Sequence, residues 1–292
     1  MNRLSPSDAA LEGFRLTRER PGTVLAWSAV YFVGVLLIGI VMMASLDPNF
    51  IDVVKRGELT TRDPEEVGAM LAQSWPAFLL VLALTVFLLS VIMAGIYRLV
   101  LRPNEHSFAH LRLGKDELRL FAVNLLLFGV GILCLFLGFV LTAVAERTAP
   151  LVGLLVGAAG VGLTMWLGVR LSLATPMTFA THKISVREAW ALTRGAFWRL
   201  FGMIVLAVIF YVVIWFLITI IAFVIVQLAG GQEAIATLHS PVAVIAFVAT
   251  LAIQLLLPIL QVLMIYSPLA VAYQQLHGDE PARPLRAPAP QG

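Results

Sequence analysis

Cysteine is almost missing from this sequence, with Cys134 the single example. One thiol has no partner within the chain, so a disulfide framework is excluded and the redox compartment is left unmarked. Charge is scarce too. Asp, Glu, Lys and Arg make up 13% of 292 residues, where a soluble domain carries about a quarter. The hydrophobic share is 60%, more than a soluble fold of this length can hide, so part of the solvent is hydrocarbon. H-E-x-x-H, G-x-S-x-G, the P-loop and the dinucleotide fingerprint are absent, which removes the enzymes that depend on them. No acid falls deep in any long apolar run, which weakens transport coupled to protons or sodium. No serine and histidine stand together in those runs. We therefore expect no catalytic residue, no cofactor and no nucleic-acid partner.

What is present is hydrocarbon in long blocks. A helix needs roughly 20 apolar residues to cross a bilayer, and six stretches qualify, at about 23–46, 76–101, 118–145, 151–174, 200–229 and 241–273. The first is too long for a cleaved signal peptide and lacks a small-x-small site. Basic residues alternate between the connections. Arg3, Arg15, Arg18 and Arg20 precede the first span; Arg102, Arg112, Lys115 and Arg119 follow the second; Lys183, Arg187, Arg194 and Arg199 follow the fourth; Arg283 and Arg286 close the chain. The other connections hold Lys55, Arg56, Arg62 and Arg147, the first three among six acids. The positive-inside rule makes the basic side cytoplasmic, together with both termini.

The basic segments resemble one another. An ungapped offset of 72 residues sets Arg98 on Arg170, His110 on His182, Lys115 on Arg187, Asp116 on Glu188 and Leu120 on Leu192. Ser5, Asp8 and Ala9 form a fainter third copy. The fold class read from this is all-α: a polytopic membrane protein of six transmembrane helices in three hairpins, with short cytoplasmic interfacial helices. Residues 1–22 form an amphipathic N-terminal segment, 23–276 one membrane domain, and 277–292, rich in proline, a disordered tail. "SVRE" and "SPSD" fit the capping-box spacing. From Val186, Ala189, Trp190, Thr193, Phe197 and Phe201 fall along one side, with Arg187, Glu188, Arg194 and Arg199 on the other, which suits an interfacial helix with its rings in the headgroup layer. On the far side, "NFIDVVKRG" reads as a short helix ending at Gly57. "DPEEVGAMLAQSW" reads as a separate surface helix capped by Asp63, with Pro64 at its first position. Spans three and four are antiparallel neighbours across "ERTAP". Their facing residues Gly131, Cys134 and Gly138, and Gly153, Gly157, Gly160 and Thr164, permit close approach.

Arg170 is the charge that interrupts a hydrophobic run, with Arg98 at the matching place one span pair earlier. Near the cytoplasmic ends of their spans, both are expected to snorkel as topology anchors. Together with Arg187, Trp190, Arg194, Trp198 and Arg199 they form the candidate contacts for lipid or a partner protein. His106 and His110 are four apart and His182 lies in the matching loop, but a ligand set is incomplete and no metal is assigned. Asn124, Thr164, Gln254 and Gln261 are polar groups inside spans, read as interhelical bonding partners, and Pro258 and Pro268 as kinks.

Arg170, Pro176, Ser185, Glu188, Ala189, Leu192, Thr193, Gly195, Phe197, Trp198 and Arg199 stand in a stretch that resembles a known signature. It is that of the six-helix bacterial membrane domain fused to some glycerophosphodiester phosphodiesterases, a domain that also stands alone. The resemblance implies a bacterial inner-membrane protein. With no soluble phosphodiesterase domain attached, the phosphodiesterase activity is not expected to carry over. The expectation is a non-enzymatic protein that organises lipid or a partner at the cytoplasmic face; the alternative is a transporter or lipid-translocation pathway.

Overall fold

The computed structural model describes residues 6–58, 61–103, 108–238 and 240–278. Ser5 as a helix cap, Arg3, Glu105, His106, Arg283, Arg286 and the tail from 279 onward lie outside the described residues. Those described form an all-helical chain: α1 (Pro6–Ala10), α2 (Glu12–Glu19), α3 (Pro21–Ser45), α4 (Pro48–Arg56), α5 (Pro64–Leu101), α6 (Lys115–Glu146), α7 (Pro150–Leu171), α8 (Ala174–Thr181), α9 (Val186–Leu192), α10 (Phe197–Leu228), α11 (Gln232–Thr237) and α12 (Pro241–His277). Among the described residues six helices are long and apolar enough to cross a membrane: α3, α5, α6, α7 with its continuation α8, α10 and α12. They pair as α3–α5, α6–α7 and α10–α12. We call the side carrying α1, α2, α8 and α9 the basic face, and the side carrying α4 and α11 the far face.

The helix ends follow their local chemistry. Asp47 accepts from the Asn49 N–H at 2.7 Å and Pro48 opens α4, while Gly57 ends it at φ +69°, a left-handed conformation that glycine adopts without strain. Asp63 caps α5 by position but not by a side-chain bond. The expected surface helix at 63–75 is not separate. Among the described residues α5 is a single helix of 38 residues passing through Pro76, about 57 Å at 1.5 Å per residue. It stands well beyond one bilayer crossing.

The introductory helices differ between hairpins. The third hairpin has α8 and α9 as separate pieces, and Gly195, at φ +90°, marks the break before α10. In the second, the matching segment is fused to its span, so α6 begins at Lys115 and continues for 32 residues. Val123 stands where the offset places Gly195, and a helix passes through valine without interruption. Residues 108–110 of the preceding loop form a single 3-10 turn.

Burial is uneven along the spans. Two clusters unite the hairpins, and both lie toward the basic face. One joins Ala9, Val123, Val169, Met177, Leu200, Met203 and Tyr273; the other joins Leu16, Trp27, Ile92, Tyr97, Leu120, Phe179 and Leu263. Toward the far face burial is local to a hairpin, as where the Phe50 ring of α4 meets Phe78 edge-on at 6.0 Å, or where Gly138 and Gly160 bring α6 and α7 together. Gly131, expected at that crossing, touches nothing there. α8 is not interfacial: Ala174 to Phe179 are all buried, so it is driven into the centre of the basic face like a plug.

The N-terminal segment also differs from a free amphipathic strip. α1 and α2 pack on α10 and α12, and burial raises the carboxyl pKa of Glu12 against the opposing pull of Arg15. Gly13 allows the closest approach: a Cβ there would meet the Met264 Cα at 2.9 Å and the Leu263 carbonyl at 3.3 Å. Backbone cannot yield as a side-chain tip can. Gly13→Ala is therefore expected to lower stability by about 1–3 kcal/mol and to speed tryptic cleavage at Arg15 and Arg18. Gly39→Ala, where an added Cβ meets nothing within 4 Å, is the control; equal melting temperatures and digestion rates for the two would refute the docking.

Candidate functional site: two caged arginines at the basic face

Arg98 ends α5 facing inward. Its Nη1 donates to the His110 carbonyl and its Nη2 to Glu117 Oε1, each at 2.6 Å. Arg98 is 3% exposed and Glu117 1%. The guanidinium also stands 5.6 Å from the centre of the Phe179 ring on α8. The expectation that Arg98 snorkels is thus corrected. Glu117, in the first turn of α6, supplies a counter-charge within the protein, and short charge-assisted bonds hold the cation there.

The loop is built to receive it. Ala109 and His110 both take left-handed backbone angles, φ +48° and +58°, which L-residues adopt only when held. Two bonds hold them, because the Trp27 indole N–H donates to the Ala109 carbonyl at 2.8 Å while Arg98 takes the next carbonyl.

Beside this pair lies a second polar chain. Arg102 Nη2 contacts His182 Nε2 at 2.8 Å, and His182 Nδ1 contacts Asp116 Oδ1 at 2.7 Å. Arginine can only donate, so Nε2 accepts and the Nδ1–H donates to Asp116. Arg119 adds a bond to the same Asp116 oxygen at 2.6 Å. The chain looks like an acid–histidine dyad, but both ring nitrogens are already engaged and neither faces a hydroxyl. Arg102 also stacks on Phe179 at 5.0 Å. Below, Tyr97 and Thr175 share a hydroxyl bond at 2.7 Å.

Arg170 meets a different solution. It is 8% exposed, with Trp190 at 4.7 Å and Trp166 at 5.7 Å from its guanidinium carbon. The two indoles meet edge to face at 5.3 Å. Thr193 accepts from Nη1 at 3.4 Å and donates to the Arg170 carbonyl at 3.1 Å. Among the described residues no carboxylate pairs with Arg170, and its Nε has no partner. Cation–π attraction, about 2 kcal/mol or more when desolvated, replaces the ion pair. The snorkelling expected of Arg170 is corrected as well.

The other candidate residues separate by face. Ala189 and Thr193 are buried and Arg187, Glu188, Arg194 and Arg199 exposed, as the helical period implies. Trp190, however, turns inward onto Arg170 instead of into a headgroup layer, and Trp198 is the ring that projects, 78% exposed. Ser185 makes no capping bond; its hydroxyl lies against Thr181 and the Lys183 carbonyl. His110 contributes its carbonyl, and among the described residues no three ligating side chains gather to hold a metal. Asn124 donates to Ser90 at 2.8 Å, joining α6 to α5. Glu117, Asp116, Arg102 and Trp166 went unrecognised in the sequence. Trp166 was legible, one helical turn before Arg170, but "GKDELRL" looks like an ordinary solvated first turn.

Compared with known proteins, the chain matches no family model, no curated protein and no solved structure.

Breaking a buried ion pair leaves an uncompensated charge at a cost of about 3–5 kcal/mol. Glu117→Leu is expected to lower stability by that much in detergent melting experiments, and Arg98→Leu/Glu117→Leu to recover a large part of it. A double variant as unstable as the sum of its singles would show that the pair does not act as one unit.

Proposed function

We propose that this protein is a non-enzymatic inner-membrane protein of bacterial type that gathers anionic lipid at its basic face, with that face and both termini cytoplasmic. The carrying observation is the lopsided charge around α9. Between residues 170 and 199 stand Arg170, Lys183, Arg187, Arg194 and Arg199 against the single acid Glu188. Elsewhere on this face four described acids are committed, Glu117 to Arg98, Asp116 to Arg119 and His182, and Glu12 and Glu19 to Arg15, while Asp8 on α1 is exposed. No ion pair among the described residues engages Arg187, Arg194 or Arg199. Exposed arginines beside the projecting Trp198 suit a headgroup layer, where guanidinium binds phosphate and an indole lies at the interface.

The basic distribution supports the orientation through the positive-inside rule. The resemblance of this stretch to the stand-alone six-helix bacterial domain points to the same compartment. The engaged ring nitrogens of His182 favour a structural role over a catalytic one. A second reading, a lipid-translocation pathway, draws support from a cavity between the hairpins.

Each basic residue near an anionic leaflet contributes about 1 kcal/mol. Replacing Arg187, Arg194 and Arg199 together by Gln is therefore expected to weaken retention of phosphatidylglycerol by about 100-fold in native mass spectrometry. Melting temperature should hold, since all three side chains are exposed. Unchanged retention, or equal retention of phosphatidylcholine by the parent protein, would overturn the proposal.

A further inference from the structure

A cavity of about 770 Å³ opens between the three hairpins. Its walls come from α3, α5, α6, α7, α10 and α12, and Ser172 and Thr175 close it toward the basic face. The volume is that of a small-molecule site, a few hundred to about 1,000 Å³. The hairpins converge at the basic face, so the cavity sits where they begin to diverge. α7 and α10 meet little, sharing the buried cluster of Val169, Leu200, Met203 and Ala207 near their basic ends. Past Val169 in α7 and Ala207 in α10, toward the far face, neither buried cluster contains a buried residue of these two helices.

The lining is apolar with a few polar exceptions, and none of the lining residues is charged. The exceptions carry unused hydrogen-bonding capacity. Asn124 spends its amide N–H on Ser90 and Met93, and among the described residues nothing donates to its Oδ1. Gln261 accepts from Tyr211 at 3.5 Å, leaving its amide N–H₂ unspent. The hydroxyls of Tyr31 and Tyr266 have no partner among the described residues. In hydrocarbon an unmade hydrogen bond is expensive, so these groups together describe a ligand's polar end. Being neutral, they do not offset the burial of a phosphate, and they do match ester carbonyls, which accept, and a hydroxyl, which donates.

We infer that the cavity binds a neutral acylglycerol that enters from the bilayer between α7 and α10. Its acyl chain lies along the apolar wall, with ester and hydroxyl groups among Asn124, Gln261, Tyr31 and Tyr266. This site is separate from the arginines of α9 and takes an uncharged lipid in place of an anionic headgroup.

The test uses the full chain in phosphatidylglycerol nanodiscs containing a diacylglycerol with a mid-chain diazirine. Crosslinks mapped by mass spectrometry are expected at the lining residues Met93, Leu127 and Cys134, at least five-fold above Phe139 and Phe216, whose rings face outward. Unlabelled diacylglycerol should compete them away. Even labelling of both groups, or no competition, overturns the inference. Gly131 lines the cavity and a Cβ there meets no atom within 4 Å, so Gly131→Leu should fill the space and cut lining crosslinks about ten-fold, leaving Phe139 unchanged. Should that variant not fold, Gln261→Leu gives the second arm, with a several-fold loss expected and no loss counting against the inference. Diazirine-bearing phosphatidylglycerol that labels the lining equally well would overturn the neutral-lipid requirement. The Arg187, Arg194 and Arg199 triple variant should keep full lining labelling; its loss there would mean that no separate site exists.

Discussion

A charged pair sealed from water is the constraint around which the basic face is arranged. Arg98 and Glu117 are each almost wholly buried and separated by 2.6 Å, and such a pair is tolerable only while every remaining donor is met and no water competes. That requirement reaches into five parts of the chain. α5 supplies the cation and α6 the anion. The 108–110 loop turns a carbonyl inward at the expense of two left-handed residues, and α8 covers the guanidinium with Phe179. Trp27 fixes the loop from α3. The pair acts as a register mark: slide α6 by one residue along α5 and Glu117 leaves Arg98 buried alone.

The 72-residue offset places Arg170 where Arg98 stands, and the two matched segments differ instructively. Both arginines are buried at the same end of their spans, and the matched histidines, His110 and His182, both adopt left-handed angles of φ +58° and +56°. The two segments thus share this backbone feature. The counter-charge is not shared. In the first copy the helix after the loop is continuous, so its first turn is held against α5 and delivers Glu117. In the second, the break at Gly195 separates α9 from α10, and α9 settles on α7 with Ala189, Trp190 and Thr193 inward. The offset sets Ala189 where Glu117 stands, so no carboxylate arrives and tryptophan takes its place. An arginine held by rings keeps its charge unneutralised, which adds to the surplus of Lys183, Arg187, Arg194 and Arg199 over Glu188 on the α9 side of the face.

The spans were plain in the sequence because hydrocarbon length is a constraint on single stretches, and so was the inward stripe of α9, which depends on helical period alone. The short helix ending at Gly57 was visible for the same reason, with the whole signal inside nine residues. What was hidden is pairwise. Nothing near residue 117 reveals that Arg98 lies within 3 Å of it, because "KDEL" reads identically whether its acid faces water or a buried guanidinium. The expectation that both arginines snorkel assumed that a long cationic side chain near a span's end turns toward water, a sound rule for an isolated helix. It failed because a neighbouring element supplied a partner in each case. The surface helix at 63–75 failed differently. The expected span begins at 76 and the preceding stretch forms its own helix, but α5 continues through Pro76 as one helix, with Ser74 and Ala77 buried and Phe78 packed on Phe50 of α4.

Sealing one face while leaving the other loosely packed has a physical consequence. Because the hairpins are tied together near the basic face, through Arg98, Arg102, His182 and Arg170 and the apolar clusters around them, they need no equivalent ties deeper in the membrane. Apart from the Asn124–Ser90 bond and the Phe87–Phe121 ring contact between α6 and α5, helix pairing there is left largely to contacts within each hairpin, such as Gly138 against Gly160. A bundle joined at one end has space between its arms, and in a bilayer that space is bounded by lipid. Polar side chains in such a space survive only if bonded or if facing a molecule that bonds them. Asn124 is the instructive case, since one end of its amide is tied to α5 while the other remains in the cavity. The ionic closure at the basic face and the neutral, half-satisfied polar groups beneath it are therefore two results of one arrangement: the charges fix where the hairpins meet, and the meeting point determines where a lipid-sized gap begins.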